Sequence, residues 1–181
     1  MKNKIHIMGA SGSGTSTLGK ALAESLRCKA LDTDDYFWIS KFTEQRPIPD
    51  RIEMLENDLS QSEKWVLSGA IVKWGECLES YFDLVIFLWV PPQARLARLQ
   101  QREIERYGEE VLPGGDKYEQ SQTFLKWASL YDYAGTEVRS KVLHEQWMQK
   151  LSCPILRIEG DYSVEECVTR VNQYLDKRSS N

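Results

Sequence analysis

Lys4-Ile5-His6-Ile7-Met8-Gly9-Ala10-Ser11-Gly12-Ser13-Gly14-Thr15-Ser16-Thr17 is the stretch that decides how this chain is read. A short apolar-rich run stops at a cluster of glycines. From Thr15 onward, Leu18, Ala21, Leu22, Ser25 and Leu26 recur at helical spacing. Tight packing of a strand against a helix asks for one or two glycines. It does not ask for Gly9, Gly12 and Gly14 followed at once by Thr-Ser-Thr. Glycines let successive backbone N–H groups turn inward as a nest, and the positive end of the following helix strengthens the same field. Gly9–Thr17 is therefore read as a phosphate-binding loop. Gly9, Ala10, Ser11, Gly12, Ser13, Gly14 and Thr15 form the cradle, Ser16 stands where a hydroxyl ligates Mg2+, and Thr17 offers phosphate a further hydroxyl. The stretch fits G-x-x-x-x-G-K-S/T at every fixed position except the lysine, which is Thr15.

The size of that departure can be stated. A lysine about 4 Å from phosphate charge is worth up to ~4 kcal/mol in a surface-like dielectric. If it acts mainly in the transition state, its loss slows a reaction by roughly 10²–10³-fold. Binding should survive, while catalysis needs a cation from elsewhere. Lys20 lies about a turn and a half further along the predicted helix and reads as a solvated residue. Arginines further along the chain are the better source.

Working outward, Ala30-Leu31 runs into the acidic Asp32-Thr33-Asp34-Asp35, read as a short strand and its C-terminal loop. Ile52, Leu55 and Leu59 keep helical spacing after Pro49-Asp50. Trp65-Val66-Leu67-Ser68-Gly69 is a strand. Leu84 to Val90 is a near-continuous β-branched and aromatic run, as expected of a strand buried on both faces. Pro91-Pro92 ends it, and a basic helix follows from about Gln93 to Tyr107. Its Arg95, Arg98, Arg102 and Arg106 share one flank. Gly108–Lys117, with Pro113-Gly114-Gly115, reads as a mobile loop. Helices are predicted over roughly Gln120–Tyr131 and Thr136–Leu151, and a last strand over Pro154–Ile158. Ser163-Val164-Glu165-Glu166 has the form of a capping box opening a helix toward Asp176, and Lys177–Asn181 is expected to fray.

Strands alternating with helices predict an α/β protein with a mainly parallel sheet, in one domain spanning 1–181. Ligands of such sheets sit outside the C-terminal strand ends. The glycine loop, the acidic triplet and Ser68-Gly69 all fall at that edge. The chain has 181 residues, 41% of them hydrophobic, and a net charge of −4 with a pI near 5.3. Such a balance favours neither nucleic acid nor an anionic membrane as partner. The first residues are too short an apolar stretch for a signal peptide, and Leu84–Val90 is too short for a membrane span. A cytoplasmic protein is expected. Cys28, Cys77, Cys153 and Cys167 are scattered, without a C-x-x-C pair, so free thiols are expected and zinc is not.

With these residues in view, the chain resembles the nucleoside- and nucleotide-kinase superfamily: adenylate, shikimate, gluconate and uridine kinases. It is especially similar to small adenylate-kinase-like proteins whose loop reads GxSGSGT followed by S/T and T. The likeness lies in element order along nearly the whole chain. It implies a P-loop NTPase three-layer sandwich with a parallel five-stranded sheet in the order 2-3-1-4-5. A helical substrate insert at about 36–62 and a lid at about 103–135 go with it, as do ATP and Mg2+.

Asp32-Thr33-Asp34 resembles the D-x-D after strand two of shikimate-type kinases. The resemblance implies that Asp32 helps hold Mg2+ through water and that Asp34 contacts the accepting hydroxyl, with Asp35 an alternative to Asp34. A solvated loop or helix cap is the plainer reading of the same triplet. Gly69 lies where these kinases bring a glycine near the acceptor, or simply ends a strand. Arg51, with Arg46 second, lies in the segment that supplies a substrate-binding arginine. Trp38 and Trp74 either wall the acceptor pocket or pack. Arg98 and Arg102 look like the R-x-x-x-R step into a lid, where one arginine packs on the base and the other reaches phosphates. Arg139 is similar to the post-lid arginine that clamps transferring oxygens. Gly160-Asp161-Tyr162-Ser163 resembles the adenine loop, or is a capped helix start. His6 reads as structural.

Three departures stand beside this likeness: the loop lysine is absent, the lid has no metal-binding cysteines, and the full glycine triplet after strand three is missing. The resemblance implies a kinase moving the γ-phosphate of MgATP to a nucleoside, nucleotide or polar alcohol, working as a monomer or homodimer with nucleotide and acceptor as partners. Thr15 keeps two alternatives open, a non-catalytic nucleotide-binding regulator and a slow ATP hydrolase.

Overall fold

The computed structural model describes residues 3–179. Strand β1 (Lys4–Gly9) leads through the glycine loop into α1 (Thr15–Leu26), and β2 (Lys29–Asp32) follows. A short helix α2 (Thr33–Phe37), a hairpin of β3 (Trp38–Ser40) and β4 (Glu44–Gln45), and helix α3 (Ile48–Ser60) lead to β5 (Trp65–Ser68). A 3-10 turn at Glu76–Tyr81 precedes β6 (Leu84–Trp89) and the long helix α4 (Pro92–Tyr107). Then come α5 (Tyr118–Ser129), α6 (Lys141–Met148), β7 (Ile155–Glu159) and α7 (Val164–Ser179).

Five strands form one parallel sheet in the order β2-β5-β1-β6-β7. Numbered among themselves these are strands 2-3-1-4-5, the predicted order. Period-two alternation decides which face each side chain serves. Ile5, Ile7, Val66, Leu84, Ile86 and Leu88 pack on one face against Leu18 and Leu22 of α1 and Val171 and Leu175 of α7. Trp65, Leu67, Val85 and Phe87 pack on the other, with Leu55 and Leu59 of α3 and Trp147 and Met148 of α6. Two helical layers thus enclose the sheet, and β1 lies at its centre. Residues that follow β1 are consequently held from both sides.

Three local readings need correction. Asp32 caps a helix rather than opening a loop: its Oδ1 accepts the Asp34 N–H at 3.0 Å, and residues 33–37 turn helically behind it. Within the predicted mobile stretch, Gly108–Val111 forms a 3-10 turn, and the segment closes through Lys117 N donating to the Glu110 carbonyl at 2.9 Å. The predicted helix from Thr136 begins at Lys141, because Ser140 caps it with an Oγ that accepts the Leu143 N–H at 3.1 Å. The capping box at the last helix is reciprocal. Ser163 Oγ accepts the Glu166 N–H at 3.2 Å, and Glu166 Oε2 accepts the Ser163 N–H at 2.8 Å. Lys177 and Arg178 continue α7; Ser180 and Asn181, the end of the expected frayed tail, lie outside the described residues. No helix among the described residues is long and apolar enough to cross a membrane.

Candidate active site

The glycine loop folds back on itself as it leaves β1. Ser13 donates both its N–H and its Oγ–H to the Ala10 carbonyl, at 3.1 and 2.7 Å. Gly12 sits at φ +80, and a Cβ there would stand 2.6 Å from the Arg95 carbonyl oxygen, so only glycine fits. No side chain caps α1, which leaves its first N–H groups facing the loop's concavity. Thr15 and Ser16 at its start are half-buried, while Thr17 and Lys20 are exposed.

The acidic residues stand at the end of β2, beside the end of β5. Asp32 gives one carboxylate oxygen to the α2 cap; the other lies 3.3 Å from Ser68 Oγ. Asp34 and Asp35 reach solvent from the first turn of α2. Partial desolvation of its carboxylate and the like charges of Asp32 and Asp35 raise the pKa of Asp34, against the opposing pull of Lys41 and Arg139. A carboxylate whose proton affinity is raised in this way is better suited to take a proton from a hydroxyl.

Arg139 joins these two halves. Its Nη2 donates to Ser11 Oγ of the glycine loop, its guanidinium lies 5.0 Å from the Trp127 ring, and it shares an electrostatic field with Asp34. Arg102 enters the same field: burial and Arg106 lower its pKa, while Glu103 and Asp34 raise it. Arg98 is ion-paired with Asp161 in the loop after β7, which places it at the predicted adenine loop. Arg51 donates to the Arg46 carbonyl at 2.6 Å and to Gln45 Oε1 at 3.2 Å, with the Phe37 ring 3.9 Å away. Its hydrogen bonds thus stay within the hairpin segment. Trp74 is buried and donates to the Ala70 carbonyl, while half-buried Trp38 packs edge-on between Phe37 and Phe42.

A family profile for an AAA domain matches residues 5–122, which carry the glycine loop, the acidic turn and all of α4. The chain belongs to this AAA-domain family. It is 63% identical over 175 residues to the uncharacterized protein YqaC of Bacillus subtilis, covering 97% of this chain and 98% of that one. A cytidylate kinase of Archaeoglobus fulgidus is 30% identical over 114 residues, which are 55% of this chain and 62% of the relative. Among solved structures, shikimate kinase from Bacteroides thetaiotaomicron superposes with a TM-score of 0.58 at 19% identity, covering 96% of this chain and 98% of that one. The fold is that of the P-loop small-molecule kinases.

Sequence spacing did not single out the residue that braces the loop of this AAA-domain protein. Helical spacing puts Arg95 on one flank with the other arginines of α4, yet it is 0% exposed. It donates to the Val90 carbonyl at 3.1 Å and the Ser11 carbonyl at 3.4 Å, and it pairs with Asp132, whose other oxygen accepts Trp89 Nε1 at 2.8 Å. The sequence-level signal is faint: Arg95 belongs to the first turn of α4, closest to the loop, whereas the other three project beyond it.

Gly69 has a structural duty that is visible in distances. At φ +108, its Cβ would lie 1.9 Å from Thr33 Oγ1 in the acidic turn. Gly69→Ala is expected to cost about 2 kcal/mol from backbone strain alone, with a further loss from displacing Thr33. Thermal melts of Gly69→Ala and of Gly69→Ala with Thr33→Ala test this. The double variant should recover part of the loss, and an unaltered melting temperature in the single variant would refute the contact.

Proposed function

We propose that this protein transfers the γ-phosphoryl group of MgATP to a small molecule bearing a hydroxyl or phosphate acceptor. One observation carries this reading: Arg139 donates to Ser11 of the phosphate loop and lies in the field of Asp34, so one guanidinium stands between a phosphate cradle and a candidate proton acceptor. Kinship with kinases of several substrates supports the reaction class.

The residues fit nucleotide and metal. Uncapped N–H groups at the start of α1 suit phosphate oxygens. Among the described residues no group of three or more His, Cys, Asp or Glu could hold a metal by itself. Ser16, Asp32, phosphate oxygens and water suit Mg2+, which takes few protein ligands. When bound, MgATP supplies the transferable phosphoryl group. In this reading Gly9–Thr17 hold and orient the triphosphate, and Arg98 with Asp161 borders the base. Asp34 takes the proton of the acceptor hydroxyl, while Arg102 and Arg139 neutralise charge on the moving group. Arg51 and Gly69 shape the acceptor side, Arg51 by fixing the hairpin and Gly69 by admitting Thr33. Catalysis of this kind is mostly positioning and charge compensation.

Thr15 favours a second reading, a nucleotide-binding protein that senses rather than transfers. Calorimetric titration with MgATP, followed by ADP formation against nucleosides, nucleotides and polyols, separates the two. Acceptor-dependent ADP is the expected result. Tight binding without ADP across the panel would replace the kinase with a sensor, and phosphate release indifferent to every acceptor would make it a hydrolase.

A further inference from the structure

The missing lysine leaves a specific vacancy of charge, and the described cations can be compared as substitutes. Lys20 is exposed on α1 and Arg98 is engaged with Asp161. Arg95 is consumed on three sides by Val90, Ser11 and Asp132. Arg102 is partly desolvated and lies in the field of Asp34, but among the described residues it makes no hydrogen bond to the glycine loop. Arg139 differs from all of these. It touches the phosphate loop with a side-chain donor, and its only described hydrogen-bond acceptor is the neutral Ser11 hydroxyl. Among the described residues its Nε and Nη1 have no acceptor and no carboxylate lies within ion-pair distance of it, and desolvation is the leading influence on it. A guanidinium drawn out of water and given only a hydroxyl, an aromatic face and a distant carboxylate is incompletely compensated, and an anion arriving beside it repays that deficit.

Its backbone is also fixed in place. The next residue, Ser140, is fully buried, donates to the Gly135 carbonyl at 2.5 Å and caps α6. Lys73 Nζ ties the preceding turn by donating to the Glu137 carbonyl at 2.8 Å. The side chain is therefore delivered from a rigid base, with the loop on one side and the field of Asp34 on the other.

We infer that Arg139 performs the task of the absent loop lysine, with Ser11 Oγ holding it over the cradle until the terminal phosphate takes its place as acceptor. This inference rests on the MgATP reading above and adds to it a named replacement for the charge lost at Thr15. Arg139 is thereby more than a clamp that arrives with a closing lid: it belongs to the loop's own charge.

The test is a charge transplant. Wild type, Arg139→Ala, Arg139→Lys, Thr15→Lys with Arg139→Ala, and Arg102→Ala are titrated calorimetrically with MgATP and with MgADP, and phosphoryl transfer is followed in parallel. Arg139→Ala should lose about tenfold or more of the preference for MgATP over MgADP, while MgADP affinity changes little. Introducing Thr15→Lys into that variant should restore most of the preference, since a lysine there meets the same phosphates. Arg139→Lys should lie between the two and guards against a misfolded alanine variant, with thermal melts as the check. If Arg139→Ala keeps the wild-type preference, or a folded Arg139→Ala gains nothing from Thr15→Lys, the inference is wrong. If Arg102→Ala shows the loss instead, the substitute is Arg102. Wild type that binds no MgATP would bring down the nucleotide reading together with the inference, whereas binding with an unaffected Arg139→Ala would bring down the inference alone.

Discussion

Asp34→Asn is expected to lower kcat for phosphoryl transfer by about 10²–10⁴-fold, the usual worth of a positioned general base, while MgATP affinity stays near that of wild type. The amide keeps the size of the carboxylate but cannot take a proton. Asp34 makes no hydrogen bond to the glycine loop, so removing its charge leaves the cradle intact. Burial and the neighbouring Asp32 raise its pKa, so wild-type activity should climb with pH through a value above that of an ordinary aspartate and then level off. The climb should vanish from the residual activity of the asparagine variant. Asp35→Asn is the comparison. It stands next along α2, also exposed, and its loss should be small. If the two substitutions exchange their effects, the base is Asp35; if neither lowers kcat, the acidic turn has no part in proton transfer.

Acid should destabilise the fold well before most carboxylates titrate. His6 and His144 are both 0% exposed. Burial lowers the pKa of His6 to about 4, despite its hydrogen bond to the Leu67 carbonyl at 3.1 Å. Burial, with Arg139 and His6 nearby, lowers that of His144 to about 3. Nδ1 of His144 meets the Tyr131 hydroxyl at 2.7 Å. The Nε2 atoms of both rings and Nε1 of Trp147 are buried without a described partner, so charging either ring would place a cation in the core.

Both rings are neutral when folded, and both bind a proton near pH 6.5 when unfolded. Their contribution is complete above about pH 6.5 and is lost as pH falls toward the folded values. Between pH 7 and pH 5 each costs about 2 kcal/mol, or about 4 kcal/mol together. That is a large share of a typical domain stability of about 5–15 kcal/mol. Asp34 acts in the opposite sense at lower pH, because a raised carboxylate pKa favours the folded state as protons bind. Urea unfolding at pH 7 and pH 5 measures the net change. His144→Gln should remove roughly half of the dependence, and equal midpoints at the two pH values would show that the rings do not stay neutral in the fold.

How much of this was legible beforehand varies with the range of the interaction. The strands were readable because Ile5 and Ile7, or Leu84 and Ile86, repeat at period two and continue as buried runs. The glycine loop was readable because its chemistry is local. The helix at Thr33–Phe37 was missed since five residues are too few to show helical spacing, and its acids equally suit a loop. The hairpin of β3 and β4 was missed for another reason: its turn places Phe42 at φ +67, a position usually signalled by glycine or asparagine. Arg95 and Asp132 lie 37 residues apart, and Arg139 and Ser11 lie 128 apart. No spacing rule reaches so far. Sequence motifs point to one sheet edge as a candidate site, while the partners of its charges came only from the fold.

The seating of Arg95 has a mechanical corollary for α4. The helix runs for 16 residues, about 24 Å. Near its start it is clamped: Arg95 grips Ser11 and Asp132, and its carbonyl presses on Gly12. Its far end carries Arg102 and Arg106, about 10 and 16 Å beyond the clamp at 1.5 Å per residue. A rod that turns about one end magnifies small rotations at the other, and what packs on its far half must move with it. A tilt of about 10° around Arg95 would sweep Arg102 by about 2 Å and Arg106 by about 3 Å, with almost no travel at the glycines. With its fulcrum on the phosphate loop, any such tilt would carry the arginines and the packed α5 together while leaving the loop in place.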